Sequence, residues 1–226
     1  MNNQKQEEKV NQENRHEDQN HKEFKIVFLK GRRINLRLVT MDDAEDFATW
    51  INDPEISQYL SRGFPTDMKS ETNWVNSLYP SEKNIIFAIE TAEGELIGNI
   101  GLHKIDYVSR SAITGTMIGN QNFHGKGYGS EAKMLLLNYA FNTLNLRKIN
   151  SEAISFNKRS VNYSLKCGYE IEGVRKKEIY KNGRYHDMVL LAVFKKNWIP
   201  LWKAYQKTGV LKSVGKPARA SENKSV

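Results

Sequence analysis

From residue 34 onward apolar and polar positions recur with a regular period, and that period changes several times along the chain. Ile34-Asn35-Leu36-Arg37-Leu38-Val39 alternates every second residue, as a half-buried strand does, and Phe24 to Leu29 opens the ordered part ahead of it. Thr40 followed by Met41-Asp42-Asp43 puts a cap and early acids at the start of a helix predicted to run to Ile51 or Asn52, where Asn52-Asp53-Pro54 stops it. Two shorter helices are predicted over 54–60 and 70–78. Residues 84–91 and 95–104 read as a hairpin about Ala92-Glu93-Gly94, and 112–119 as another strand. Ala132, Leu135, Leu136, Tyr139 and Ala140 then repeat at helical spacing within a helix from Gly129 to about Asn142, with Met134, Leu137 and Phe141 widening the stripe into a sheet-packing face. A strand over 148–155, a helix over 159–166, a long strand over 169–180, an Asn182-Gly183 turn and a strand over 185–194 follow, with a closing helix over 198–205.

The order predicts an α/β (α+β) fold: a mixed, mostly antiparallel sheet of about seven strands with helices on both faces. Residues 1–22 are Asn, Gln, Glu and Lys with almost no apolar side chain, so they are expected as a disordered tail, and 209–226 likewise as a disordered basic one. The folded domain is placed at 23–208. Tyr59, Phe64 and Trp74 are expected as core, because large aromatics bury the most area per residue.

Composition narrows the chemistry. Cys167 is the single cysteine, which rules out an internal disulfide, and its place in a helix beside Leu165 and Gly168 suits a small buried side chain. His16, His21, His103, His124 and His186 lack metal-ligand spacing, so no metal is expected. With no long apolar run and no apolar leader, the chain is expected to be cytoplasmic and away from membranes. The formal charge of +8 is uneven: residues 1–23 carry four basic and six acidic side chains, residues 203–226 six basic and one acidic, and the middle holds +5. That excess suits a polyanionic ligand. The basic C-terminal stretch by itself is the one feature pointing to RNA, and nucleic acid is not expected as a partner.

The stretch that organises the chain is Phe123-His124-Gly125-Lys126-Gly127-Tyr128-Gly129-Ser130-Glu131-Ala132, set between a strand and a helix. Glycines at every second position let the backbone turn tightly and approach a ligand, while the first amides of the helix, lacking partners, point at it. Phosphate oxygens fit such a nest. The spacing matches neither the nucleotide P-loop nor the dinucleotide fingerprint. A strand-to-helix turn that uses glycine only for geometry is the plain alternative.

His124 to Gly129 resembles the Q/R-x-x-G-x-G/A loop of the GNAT superfamily of acyl-CoA-dependent N-acyltransferases, with His124 in place of Gln or Arg. Asn157-Lys158-Arg159-Ser160, leading to Cys167-Gly168-Tyr169 and Glu172-Gly173-Val174-Arg175, is similar to that superfamily's N-x-x-S/A helix and to the "EG-x-R" strand start of its ribosomal-protein N-acetyltransferase branch. The likeness covers roughly residues 31–198. It implies acetyl-CoA as cosubstrate, with the pyrophosphate on His124, Gly125, Lys126, Gly127, Tyr128, Gly129 and Ser130, the pantetheine on Met117, Ile118 and Gly119 between two strands that splay apart, and Asn157 and Ser160 orienting the second helix and the cofactor arm. It also implies direct attack of an amine on the thioester.

Many members donate the proton to the departing thiolate from a tyrosine whose place is taken here by Ser164, leaving Ser164 or a water on it to donate, since Tyr163 is ~100° away round the helix. Where relatives have a glutamate that positions a water, this chain has Ile113. Glu152 is therefore the expected base, with His103, Asp106, His186 and Asp187 as further candidates. The implied function is acetylation of a primary amine, either a protein N-terminus or a small molecule such as an amino sugar or amino acid. A polyamine acceptor is disfavoured because a basic protein would need a locally acidic pocket for it. The alternative is a CoA-binding module of the same fold without turnover. Monomer and homodimer both stay open.

Overall fold

The computed structural model describes residues 24–79 and 81–211, so the tails expected at 1–22 and over most of 209–226 lie outside the described residues. Its sheet has eight strands: β1 (Val27–Lys30), β2 (Ile34–Leu38), β3 (Ile85–Thr91), β4 (Leu96–Asp106), β5 (Ser111–Ile118), β6 (Lys148–Ile154), β7 (Glu170–Lys181) and β8 (Arg184–Phe194). The spatial order is β1-β2-β3-β4-β5-β6-β8-β7. The strand beyond the seven expected is β1, an antiparallel edge strand on β2.

All neighbours run antiparallel except β5 and β6. That parallel pair is short: Ser111, Ala112 and Ile113 face Lys148, Ile149 and Asn150, and pairing then stops. Beyond Ile113 and Asn150 the strands part, leaving backbone groups on the facing edges of Thr114–Ile118 and Ser151–Ile154 without a strand partner.

Helices α1 (Ala44–Asn52), α2 (Pro54–Ser57) and α3 (Met68–Asn76) lie on one side. A small core of Val39, Phe47, Val75, Ile86 and Ala88 joins them to the sheet. Asp67 caps α3 by accepting from the Ser70 amide, which starts that helix two residues before the predicted position. On the other side α4 (Tyr128–Asn138, continued by a π-turn over Tyr139–Thr143), α5 (Lys158–Lys166) and α6 (Lys195–Thr208) enclose the larger core, which includes Leu136, Phe141, Ile149 and Trp198. Helix α6 follows β8 without a break and carries Pro200 inside it.

The expected aromatic core holds in part. Trp74 packs edge-on against Phe47, but Phe64 is 84% exposed, and Tyr59 packs near Phe156 under the Arg159 guanidinium. Cys167 is fully buried, as expected of a small core side chain.

Candidate active site

A cleft of about 580 Å³ opens where β5 and β6 separate. One end is the glycine turn. Gly127 caps α4 with φ +88°, a left-handed conformation that glycine adopts freely, and Gly125 is also left-handed at +73°. The first amides of α4 have no intrahelical acceptor and are free for a ligand at this end. Behind the turn, the buried carboxylate of Glu131 accepts from the amides of Arg32 (2.6 Å) and Arg33 (2.9 Å) and from Arg33 Nε (3.0 Å). Arg33 in turn donates to the Lys126 carbonyl and lies over the Tyr128 ring. The β1–β2 turn thus clamps the glycine turn in place. No local pattern announces this clamp, because its partners are 98 and 99 residues apart.

The residues expected at this end divide. Met117, Ile118, His124, Gly125, Gly127, Gly129, Ser130, Asn157 and Ser160 line the cleft, whereas Gly119, Lys126 and Tyr128 do not. The Gly119 amide donates to the Ile97 carbonyl, and the Trp50 ring occupies the space a Cβ would need. Lys126 contributes its carbonyl to Arg33, and Tyr128 packs on Phe123. His124 is engaged on both ring nitrogens. Arg159 must donate to Nδ1 (2.9 Å), so Nε2 carries the proton and donates to the Ile118 carbonyl (2.8 Å). That imidazole ties β5 to α5 instead of reaching into the nest.

Helix α5 is capped by Asn157, whose side-chain oxygen accepts from the Ser160 amide at 3.0 Å. Asn157, Ser160 and Tyr163, three apart, all line the cleft. Val161 and Ser164 are buried instead. Ser164 is fully buried and does not line the cleft, while Tyr163 does. The expected orientation of this pair is therefore reversed: the run from Val161 through Ser164 to Cys167 and Tyr169 faces the core and sets the phase of the helix. Tyr163 shares a hydrogen bond with Thr116 (3.0 Å), and burial pushes its phenol well above the usual value, so it stays protonated.

The opposite face of the parted strands carries Glu152, which lines the cleft and pairs with Arg175 at 3.1 Å. The other candidate bases serve elsewhere. Asp106 caps a turn through the amides of Val108 and Ser109, Asp187 holds Lys176 and the Lys177 amide, and His186 packs on Phe156. His103 fills the space over Gly115 on the neighbouring strand, where burial lowers its pKa and keeps the ring neutral. Among the described residues no cluster of His, Cys, Asp or Glu is placed to hold a metal ion.

The floor of the cleft also holds a side chain that no motif announced. Lys133, on the second turn of α4, is only 2% exposed and lines the cleft. Its ammonium lies over the rings of Tyr163 (4.3 Å) and Tyr169 (4.8 Å) and makes one long contact, 3.5 Å, to Ser164 Oγ. Burial lowers its pKa to about 8.

The glycine turn and the parted strands β5 and β6 both lie within a stretch that a family model matches. The model of the acetyltransferase (GNAT) domain matches residues 33–170. The chain belongs to the GNAT acetyltransferase family. YdaF of Bacillus subtilis, provisionally named a ribosomal N-acetyltransferase, is 31% identical over 176 residues, which cover 74% of this chain and 94% of YdaF. Spermidine N(1)-acetyltransferase of Vibrio cholerae is 32% identical over 113 residues, covering 50% of this chain and 65% of that protein. The crystal structure of spermidine N-acetyltransferase from Vibrio cholerae in complex with CoA and spermine superposes with a TM-score of 0.70 at 26% identity, over 74% of this chain and 98% of that one. Among the described residues no helix is long and apolar enough to cross a membrane.

Proposed function

We infer that this GNAT enzyme transfers the acetyl group of acetyl-CoA to a single primary amine, of a peptide N-terminus or a small molecule, by direct attack on the thioester. The observation that carries the reading is the continuity of one cleft from the unpaired amides of the glycine turn to the separated edges of β5 and β6. The turn suits the pyrophosphate. The extended edge of β5 at Met117 and Ile118 offers the backbone groups that an amide-bearing pantetheine arm needs. Asn157 and Ser160 fix the start of α5 alongside that arm.

Glu152 is the carboxylate on the acceptor side. It can draw an ammonium in and take its proton, directly or through a water. The lining residues carry Lys133, Arg159 and Lys166 but one carboxylate, Glu152, which is already paired with Arg175. A polyamine brings several ammonium groups and would find no matching set of acids here, so a monoamine fits better despite the spermidine-acetylating relatives. The similarity to YdaF favours a protein N-terminus within that class.

Incubation with acetyl-CoA and a panel of peptides, amino sugars, amino acids and polyamines, read by product mass, tests the reading. A monoamine product is expected, and a product with spermidine alone would overturn the acceptor assignment. For the cofactor end, Gly127→Ala puts a Cβ on a left-handed backbone with the Arg33 guanidinium 3.2 Å away. Affinity for CoA should fall at least about fivefold (~1 kcal/mol), with affinity for pantetheine retained. Equal losses for both ligands, measured by calorimetry, would mean the glycines serve only the turn.

A further inference from the structure

Lys133 is a cation in the wrong place for stability. Burying an ammonium is costly unless a carboxylate meets it, and the carboxylate on its own helix, Glu131, is committed to Arg32 and Arg33. The groups facing Lys133 from the surrounding elements are the Tyr163 ring and Ser164 hydroxyl of α5, the Cys167 thiol after that helix, and the Tyr169 ring before β7. None of them is an anion at neutral pH: burial pushes the Cys167 thiol up to about 12 and both phenols up as well. The two aromatic faces and one long hydrogen bond offset part of the desolvation cost. The ammonium is held at the floor of the slot, on the face of β5 that carries Thr114 and Thr116.

Resting on the acyl-transfer reading above, we propose that Lys133 is the proton donor to the departing CoA thiolate. When the amine nitrogen attacks the carbonyl carbon, a C–N bond forms and the C–S bond breaks, and the electron pair leaves on sulfur. The Lys133 ammonium gives its proton to that sulfur, yielding CoA thiol and a neutral lysine that is reprotonated from solvent. The acceptor amine loses its own proton on the Glu152 side. An unpaired ammonium suits this task because the anion it lacks in the resting enzyme is the one that develops in the transition state. A donor near 8 is also matched to an ordinary thiol at about 8.5. Ser164 cannot serve alone, since it is walled off from the cleft behind Lys133.

The test compares wild type with Lys133→Met, which keeps length and apolar bulk, and with Tyr163→Phe, which removes the competing donor. In Lys133→Met kcat should fall at least about 100-fold while KM for acetyl-CoA changes by less than about threefold. Wild-type kcat should decline as pH rises through about 8, where the donor loses its proton. This alkaline limb should vanish in Lys133→Met and persist in Tyr163→Phe. Independently of turnover, the thiol of bound CoA, followed by thiolate absorbance, should ionise at lower pH on wild type than on Lys133→Met. An unchanged kcat in Lys133→Met, a limb that moves with Tyr163, or superimposable thiol titrations would overturn the proposal. If the wild type turns over no amine, the thiol titration still decides the role of Lys133. Failure of CoA to bind at all removes the acyl-transfer reading together with the proposal.

Discussion

Among the described residues two cations are buried, on opposite sides of the sheet, and they are treated in opposite ways. Arg37 of β2 is wholly inaccessible and fully answered: Nη1 and Nη2 donate to Asp43 at 2.7 Å each, and Nε donates to Glu90 at 2.8 Å. Asp43 also accepts from the Thr40 amide, so the same carboxylate closes the start of the first helix. Lys133 has neither a carboxylate nor a short hydrogen bond. The difference separates two uses of buried charge. The paired guanidinium specifies how the helices dock on β2 and β3, whereas the unpaired ammonium faces a cleft and keeps its electrostatic reach for something that enters.

The sharpest way to break this contrast is to remove each cation in turn. Arg37→Met strands Asp43 in the interior, leaves Glu90 only the Lys25 ammonium at 3.1 Å, and should cost about 3–5 kcal/mol of unfolding free energy by denaturant titration. A loss under ~1 kcal/mol would mean the network is not structural. Lys133→Met should move stability the other way. Its ammonium titrates near 8 when folded and near 10.5 when free. The unfolded chain therefore holds the proton more tightly between those values, and wild-type stability should rise as pH increases from about 8 towards 10.5. The substitution should add on the order of 3 kcal/mol below pH 8, with the gain shrinking across that window. Destabilisation at pH 7 would show that Lys133 is a packing residue. The smallest effect belongs to a pair on the surface. Arg175→Ala breaks the half-exposed contact with Glu152 and should change stability by less than ~1 kcal/mol. A larger loss would erase the distinction between buried and exposed pairs.

Much of the fold was legible because its signals are local. Alternation marked β2, and apolar runs bounded by turn residues marked six more of the eight strands; Asn182-Gly183 marked the β7–β8 turn, and the glycines at 125, 127 and 129 marked the cap of α4. The eighth strand was missed as a partner because Phe24 to Leu29 does not alternate cleanly, and its pairing with β2 slips between Val27 and Leu29. Half of the candidate site was legible for the same reason: a glycine turn is made by consecutive backbone groups, and Asn157 caps its own helix. Ser164 and Tyr163 were read the wrong way round because spacing gives the angle between two helical side chains but not which of them faces the sheet. That phase depends on Cys167 and Tyr169 entering the core.

Sequence by itself determined the order of strands and helices, the glycine turn that caps α4, and membership of a family that the later comparison with residues 33–170 bore out. These follow from period and from backbone chemistry within a few residues. Tertiary structure alone decided where charge is buried. Arg37 occupies a polar position in an alternating strand and would face solvent if α1 and α3 did not cover that side of the sheet. Lys133 stands among apolar neighbours on α4 and is buried because the sheet covers one side of that helix and α5 approaches from another. Burial is a property of what lies on top of a side chain, and those covering elements come from distant parts of the chain.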